Sequence, residues 1–299
     1  MTHVCTLIGA RSSRAVTEDT VTLARGALPN LYRTQTLSAE VACDLFFEPG
    51  AGDSGRDWAA DVRRALGSAP VDVAVQDITD RKKSLFLADM DSTMIEQECI
   101  DELADMVGIK DQVAGITERA MRGELDFEAA LKDRVQLLAG LPSEAIEEVY
   151  ETRVSFSPGG RELIKTLTRQ GIRCVLVSGG FRQFTAKVAA ALGFHSNHAN
   201  ELLVENGKLA GKVAEPILGR EAKLEQLGRH CKELGVSPNR AIAIGDGAND
   251  LAMIEAAGLG IAYRAKPAVR ARADIQLNHA DLTGVLFALG YSEAEISRD

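Results

Sequence analysis

The chain has 299 residues, 45% of them hydrophobic, with a formal net charge of −9 at pH 7. That length and apolar content allow one large domain, or a large and a small one, around real cores. The acidic balance and the lack of a basic stripe exclude the usual nucleic-acid binder. The short run Arg81-Lys82-Lys83 reads as a solvated linker ahead of a strand. Five cysteines, Cys5, Cys43, Cys99, Cys174 and Cys231, are dispersed with no CxxC, a pattern expected of reduced thiols in a cytoplasmic protein. The opening MTHVCTLIGARSSR has no basic segment followed by an apolar one, so no signal peptide is expected. No apolar run approaches about 18 residues, so no membrane span is expected either.

Residues 1–80 read as a separate small unit. HVCTLIGA is strand-like, and AVTEDTVTLARGAL has helical spacing. YRTQTLSAEVACDLFFE is β-rich, EPGAGDSGRD is a loop, WAADVRRALG a helix and VDVAVQDI a last strand. The order β-α-β(β)-α-β predicts a ferredoxin-like α+β fold.

Past residue 83 the rhythm changes. SLFLA, RCVLV, RAIAI and GLGIA are short, apolar and β-prone. RELIKTLTRQG, GFRQFTAKVAAALG, AKLEQLGRHCKELG and DLAMIEAAG are helical and separate them. Alternation of this kind predicts an α/β fold with a doubly wound parallel sheet. In ELLVENGKLAGKV, Asn206-Gly207 predicts a hairpin. Between the first two core strands, residues of about 96–155 read as four helices, far more chain than a crossover needs. Inserted at a strand end, they are placed to roof a site there as a helical cap.

Ligands of such sheets sit beyond the carboxyl ends of the strands. LFLADMDSTM puts Asp89 and Asp91 at one of these ends. Two carboxylates there repel and resist desolvation, costs a divalent cation relieves. Oxygen donors without His or Cys point to Mg²⁺ rather than zinc. A plain turn with a helix N-cap fits this stretch equally well. The balance shifts with AIAIGDGAND, where Asp246 follows a strand between two glycines and Asn249 and Asp250 open a helix. A third strand end, RCVLVSGGF, offers Ser178, Gly179 and backbone N–H groups at a helix start, which suit phosphate; an ordinary strand–helix turn is the other reading. Lys223 opens the helix before RAIAI and is either a phosphate-facing cation or a solvated lysine. Arg134 lies two turns past Phe127 on one apolar face, so it needs an anionic partner: an internal Glu or a substrate carboxylate. Glu98, seven residues past Asp91, can reach back over the site toward an ammonium or remain on the surface.

DMDST resembles the DxDx[TV] motif of the haloacid-dehalogenase-like phosphatases. VSGG, Lys223 and GDGAND resemble that family's other three motifs, in order, over about residues 84–290. DMDSTMIEQECIDELA, FEAALKDRV, VSGGF and GDGANDLAMIEAAGLGIAYRAKP are similar to the phosphoserine phosphatases within it. The N-terminal unit resembles the ACT-like domain that precedes some bacterial members. The resemblance implies a core over residues 81–299 with its cap at about 96–155, and a Mg²⁺-dependent hydrolase of O-phospho-L-serine acting in the last step of serine biosynthesis. It implies Asp89 as the nucleophile and Asp91 as general acid and base. Asp89, Asp246 and the Asp91 carbonyl would bind Mg²⁺, with Asp250 in support. Ser178, Gly179, Lys223 and Asn249 would hold phosphate. Glu98 would meet the ammonium, and Arg134 the carboxylate. A homodimer is expected from the ACT-like unit. Three alternatives stand beside this: another small phosphate ester as substrate, a phosphotransferase, or an amino-acid sensor with a vestigial phosphatase core.

Overall fold

The computed structural model describes residues 3–50, 52–53 and 55–298. Ala51 and Ser54, within the expected EPGAGDSGRD loop, lie outside the described residues. The first part of the chain runs β1 (His3–Gly9), α1 (Glu18–Gly26), β2 (Leu31–Ser38), β3 (Ala42–Phe47), α2 (Trp58–Leu66) and β4 (Val71–Asp77). The four strands pair antiparallel in the order β2-β3-β1-β4. Alternation gives this sheet two faces. Cys5, Leu7, Leu45, Phe47 and Val73 pack under the two helices, against Trp58, Val62 and Leu66.

The opposite face carries Thr6, Ile8, Ala42, Asp44, Asp72, Ala74 and Gln76, and it is docked rather than solvated. Ile8, Ala42 and Ala74 join the main apolar core of the following unit. Asp72 accepts from the N–H groups of Asn278 (2.9 Å), His279 (3.0 Å) and Ala280 (2.9 Å). The Gln76 amide donates to the Ala288 carbonyl.

The rest of the chain supplies β5 (Leu85–Ala88), α3 (Cys99–Asp105), α4 (Lys110–Met121), α5 (Phe127–Leu137), α6 (Glu144–Arg153), α7 (Gly160–Arg169), β6 (Arg173–Phe181) and α8 (Arg182–Leu192). Then follow β7 (Ser196–Asn200), β8 (Leu202–Glu205), β9 (Lys208–Val213), α9 (Arg220–Leu234), β10 (Ala241–Gly245) and α10 (Leu251–Ala256). The chain ends with β11 (Leu259–Tyr263), α11 (Pro267–Arg270), β12 (Ile275–Leu277) and α12 (Gly284–Ala288). Six strands form a parallel sheet ordered β12-β11-β10-β5-β6-β7. β5 is central, and the chain leaves it on one side and returns on the other. The crevice at its carboxyl end is therefore the switch point where such sheets bind ligands.

Side-chain alternation explains why β5 is stable without length. Phe86 and Ala88 face the core beneath α7, α8 and α12. Leu85 and Leu87 face the layer beneath α9, α10 and α11. Each fully buried Leu or Phe contributes about 2 kcal/mol.

Three local readings are corrected. Arg81-Lys82-Lys83 is not a solvated linker. Arg81 pairs with buried Asp44 at 2.6 Å and Thr6, and Lys83 donates to the Asn239 and Gly258 carbonyls, both at 2.9 Å. Only Lys82 is exposed; buried donors must find acceptors, and here a long stem carries each charge to them. Second, β6 does not stop at Val177 but continues through Phe181, so Ser178–Gly180 lie in extended chain and the helix opens only at Arg182. Third, β7 and β12 join four expected strands as edges. One is polar (SNHAN) and the other has three residues, so neither shows the apolar run of a central strand.

The Asn206-Gly207 hairpin forms as expected, with both residues at positive φ (51° and 74°), the backbone a two-residue turn of this twist needs. Its strand β9 binds the insertion: Gly140 N–H donates to the Leu209 carbonyl (2.9 Å), and Leu209 N–H to the Leu141 carbonyl (2.8 Å). Among the described residues no helix is long and apolar enough to cross a membrane.

Candidate active site

The ladder holds β5 up to Ala88, which is in register with Ile244 and Leu176. The next N–H, of Asp89, still donates to the Ile244 carbonyl at 3.0 Å. Asp89 thus has a fixed backbone, while its side chain projects beyond the sheet. The chain then turns sharply: the N–H groups of Thr93, Met94 and Ile95 all point at the Met90 carbonyl, and Ser92 sits at φ 54°. This turn separates the fates of the two aspartates. Asp91 swings away, its Oδ1 accepting the Cys99 N–H (2.9 Å) and its Oδ2 lying 3.3 Å from the Ser178 hydroxyl. Gly180 makes room for it, since a Cβ there would meet Asp91 Oδ2 at 2.6 Å.

Asp89 faces the other cluster. Carboxylate oxygens of Asp89, Asp246 and Asp250 lie within 4.8 Å of one another, all buried. Lys223, with 0% exposure, places Nζ 2.8 Å from Asp89 Oδ1 and 2.6 Å from Asp250 Oδ1. Asp250 Oδ2 accepts the N–H groups of Asp246 and Gly247, which fixes the GDGAND turn. Gly245 permits that approach: a Cβ would sit 2.3 Å from the Asp250 carboxyl carbon. Thr93 donates to Asp246 Oδ1 at 3.0 Å.

The electrostatics follow from this packing. Burial, reinforced by Asp250, raises the Asp89 carboxyl well above the usual range, and Lys223 opposes the rise. Asp246 is pushed up to about 7, first by burial and then by Asp250. Burial also raises Asp91, which the Cys99 N–H partly offsets. Burial works against a charged Lys223, but Asp250 and Asp89 outweigh it and hold its pKa raised. Half-buried Glu98 accepts from the Ser92 hydroxyl at 2.6 Å, and burial followed by Asp91 raises it well above the carboxylate range.

A cavity of about 40 Å³ is lined by Asp89, Asp91, Glu98, Arg134, Ser178, Gly179 and Asn249, together with Ile100, Met121, Phe127, Leu131, Gly180 and Phe181. The cap therefore closes over the sheet edge. Of the ten expected site residues, seven line this cavity; Asp246, Asp250 and Lys223 lie beside it in the charged cluster. Two placements add detail. Arg134, 5% exposed, has no carboxylate within salt-bridge distance among the described residues; it donates to the Ala130 carbonyl and the Thr117 hydroxyl. The side chain of Asp250, expected only in support, belongs to the carboxylate cluster.

The model of the haloacid dehalogenase-like hydrolases matches residues 86–255. Phosphoserine phosphatase SerB2 of Mycobacterium tuberculosis is 47% identical over 228 residues, 76% of this chain and 56% of its own length. A phosphoserine phosphatase of Archaeoglobus fulgidus is 41% identical over 243 residues, 79% of this chain and 70% of its own. This chain belongs to the phosphoserine phosphatase family of haloacid dehalogenase-like hydrolases. The match thus spans little more than half of the mycobacterial relative. A solved structure described as a phospho-aspartyl intermediate analogue of phosphoserine phosphatase superposes on this hydrolase with a TM-score of 0.66. It is 41% identical and covers 69% of this chain and 98% of that one.

Some site residues of this hydrolase escaped the sequence reading. Thr93 stands inside DMDST, but its bond to Asp246 depends on a fold that brings two distant strand ends together. In sequence Phe127 is one member of the apolar face that carries Arg134. It stands between the inner cavity and an open cleft of about 660 Å³ toward Pro216–Ala222. Its ring fills the space above two glycines; a Cβ on Gly179 would meet it at 2.6 Å and one on Gly219 at 3.3 Å. Those paired glycines were the only signal. Asn200 belongs to no motif; it ties the end of β6 to the chain ahead of α9, donating to the Gly179 and Leu218 carbonyls and accepting the Leu218 N–H at 2.6 Å.

Proposed function

We propose that this hydrolase converts O-phospho-L-serine to L-serine and phosphate, with Asp89 carrying the phosphoryl group between two half-reactions. The observation that supports this most is the polarity of the cavity. One end holds Asp89 beside Lys223, and the cap side offers a buried guanidinium, Arg134, and a carboxylate, Glu98. An amino-acid phosphate carries the complementary set: a phosphate, a carboxylate and an ammonium.

The donor set fits Mg²⁺. Three buried carboxylates with raised or crowded charges and no nitrogen or sulfur donor suit a hard divalent cation. Asp89 and Asp246 would hold it with the Asp91 carbonyl, and Asp250 would fix the turn and Lys223. When bound, the ion supplies charge neutralisation to the phosphate. The chain's residues do the rest. Lys223, Ser178, Asn249 and the Gly179 backbone hold the phosphate so that Asp89 meets phosphorus in line. As the P–O bond to serine breaks, Asp91 gives its proton to the leaving oxygen. Asp91 then accepts a proton from water as water attacks phosphorus, breaking the bond to Asp89 and freeing phosphate. This asks Asp89 to be ionised and Asp91 protonated on arrival. Of the two aspartates only Asp89 lies against Lys223, which also bridges to Asp250, and with Mg²⁺ bound the ionised form of Asp89 would be favoured over that of Asp91. The same reading makes residues 1–80 an ACT-like unit on a core of residues 81–299, capped at about 96–155, and places the reaction last in serine biosynthesis, in the cytoplasm.

Arg134→Ala is expected to raise KM for phosphoserine about a hundredfold and leave p-nitrophenyl phosphate nearly unaffected. Steady-state kinetics on the two substrates test this, and equal losses on both would remove the substrate assignment.

Metal binding carries a pH signature. With Asp246 pushed up to about 7 in the metal-free protein, a proton must leave before the carboxylate can bind. Apparent Mg²⁺ affinity should therefore weaken by at least about tenfold per pH unit below that value, since Asp89, also raised by burial, must lose a proton too. Titration calorimetry from pH 5.5 to 8.5 measures it, and a pH-independent affinity would argue against Asp246 as a ligand.

A further inference from the structure

Arg134 is a buried cation whose nearest carboxylates do not touch it. A guanidinium has five N–H donors. Nε donates to the Ala130 carbonyl at 2.9 Å, and Nη1 to the Thr117 hydroxyl at 3.0 Å. The other three have no acceptor among the described residues, although the side chain is 5% exposed and lines the cavity. Unfilled donors in a buried group are costly unless something else takes them.

The Thr117 hydroxyl in turn lies 2.7 Å from Asp101 Oδ1, a carboxylate that is 9% exposed. A hydroxyl has one proton. With the charged acceptor nearer than the Val113 carbonyl at 3.1 Å, that proton goes to Asp101 and a lone pair is left for Arg134. The three members come one each from α3, α4 and α5. Neither Thr117 nor Asp101 lines the cavity.

We infer that Thr117 and Asp101 are positioning residues that hold Arg134 at one remove, leaving its free edge for the substrate carboxylate. A direct Asp–Arg pair would neutralise the guanidinium and occupy that edge. Routing the counter-charge through a hydroxyl steadies the cation and fixes one corner of its plane, so the fork faces the ligand pre-oriented. The cost of three unmet donors is recovered only when an anion arrives. The relay thus acts on recognition of the carboxylate end and not on phosphoryl transfer. This rests on the reading of Arg134 as the carboxylate site.

The test compares Thr117→Val, Thr117→Ser, Asp101→Asn and Arg134→Ala, each confirmed folded by its thermal melt. KM and kcat for phosphoserine are read beside the inhibition constant of inorganic phosphate, which has no carboxylate. Thr117→Val should raise KM about tenfold, with kcat within about twofold and phosphate inhibition unchanged. Thr117→Ser should restore KM, and Asp101→Asn should lie between. On the Arg134→Ala background, Thr117→Val should add nothing. If Arg134→Ala raises KM and Thr117→Val does not, the relay is wrong and the substrate reading survives. If Arg134→Ala leaves KM unchanged, both fall. A Thr117→Val defect that Thr117→Ser fails to repair, or that weakens phosphate inhibition equally, reduces Thr117 to a packing residue and overturns the inference.

Discussion

Asp89→Asn is expected to cut phosphate release by at least about a thousandfold while leaving the metal-free protein as stable as the wild type or more so. The amide is isosteric, keeps an oxygen for the Met90 N–H now bonded at 2.7 Å, and cannot attack phosphorus. The stability half follows from the sign of the shift. The Asp89 carboxyl is raised in the folded state, so the folded protein holds a proton that the unfolded chain releases above about pH 4. Ionising this buried group costs stability as pH rises from there toward its folded pKa. Asparagine has no such cost, and the Tm difference should widen between pH 5 and pH 8 in EDTA. Phosphate release that survives the substitution would refute the nucleophile assignment. A Tm that falls steeply would show that the carboxylate stabilises the fold instead.

Lys223→Met works in the opposite direction. The lysine is fully buried, and its ammonium bridges Asp89 and Asp250 with Asp246 close by. Removing one partner of a buried pair typically costs about 3–5 kcal/mol, and here two bonded carboxylates lose the cation that bridges them. The folded pKa of Lys223 is raised, so the lysine itself loses its proton only above an ordinary lysine pKa, and any pH dependence between about pH 4 and 8 comes from the carboxylates beside it. In the variant Asp89 and Asp246, no longer held down by Lys223, rise further. Its deficit should therefore be small near pH 4, where they are protonated, and grow toward pH 8. Urea unfolding at the two pH values, without metal, measures this. A deficit independent of pH would mean that lost packing, not lost charge, is responsible. Excess Mg²⁺ should restore part of the stability by mass action, but not activity, because the proposed lysine contact to phosphate would be lost.

Much of this site was legible because its chemistry is concentrated at strand ends. Asp89, Ser178 and Asp246 each follow an apolar run whose burial fixes where the next residue must lie. A parallel sheet then brings those ends together, so three separate motifs become one site. The hairpin was legible for a similar reason: only two positive φ values satisfy its turn, and Asn-Gly supplies them. What escaped was contact made across sequence distance by ordinary residues. Thr117 is a helix interior threonine, and nothing local says that its hydroxyl meets an arginine 17 positions on. Arg81 and Lys83 looked solvated because a basic run usually is. Their acceptors, at Asp44, Asn239 and Gly258, come from three other parts of the chain. The polar face of the N-terminal sheet hides its role in the same way, since Asp72 and Gln76 alternate as exposed residues do yet bond to the core.

The hairpin β8–β9 decides what kind of object the cap is. It lies more than 40 residues beyond the last cap helix in sequence, yet its Leu209 exchanges backbone bonds with Gly140 and Leu141, and Ser143 N–H donates to Gly207. Gly211 nests against Ala139 so closely that a Cβ would stand 2.8 Å from it. Any motion that lifts α3–α6 from the sheet must carry β8–β9 along or break these bonds. The lid is thus a body threaded twice by the chain, and four crossings rather than two act as its hinge. One of them, near Leu218, is tied by Asn200 to the Gly179 loop and leads directly into the helix bearing Lys223. On the proposed reading, opening the door would therefore pull on the phosphate's own handhold, and product release and phosphate grip would share a mechanical cause.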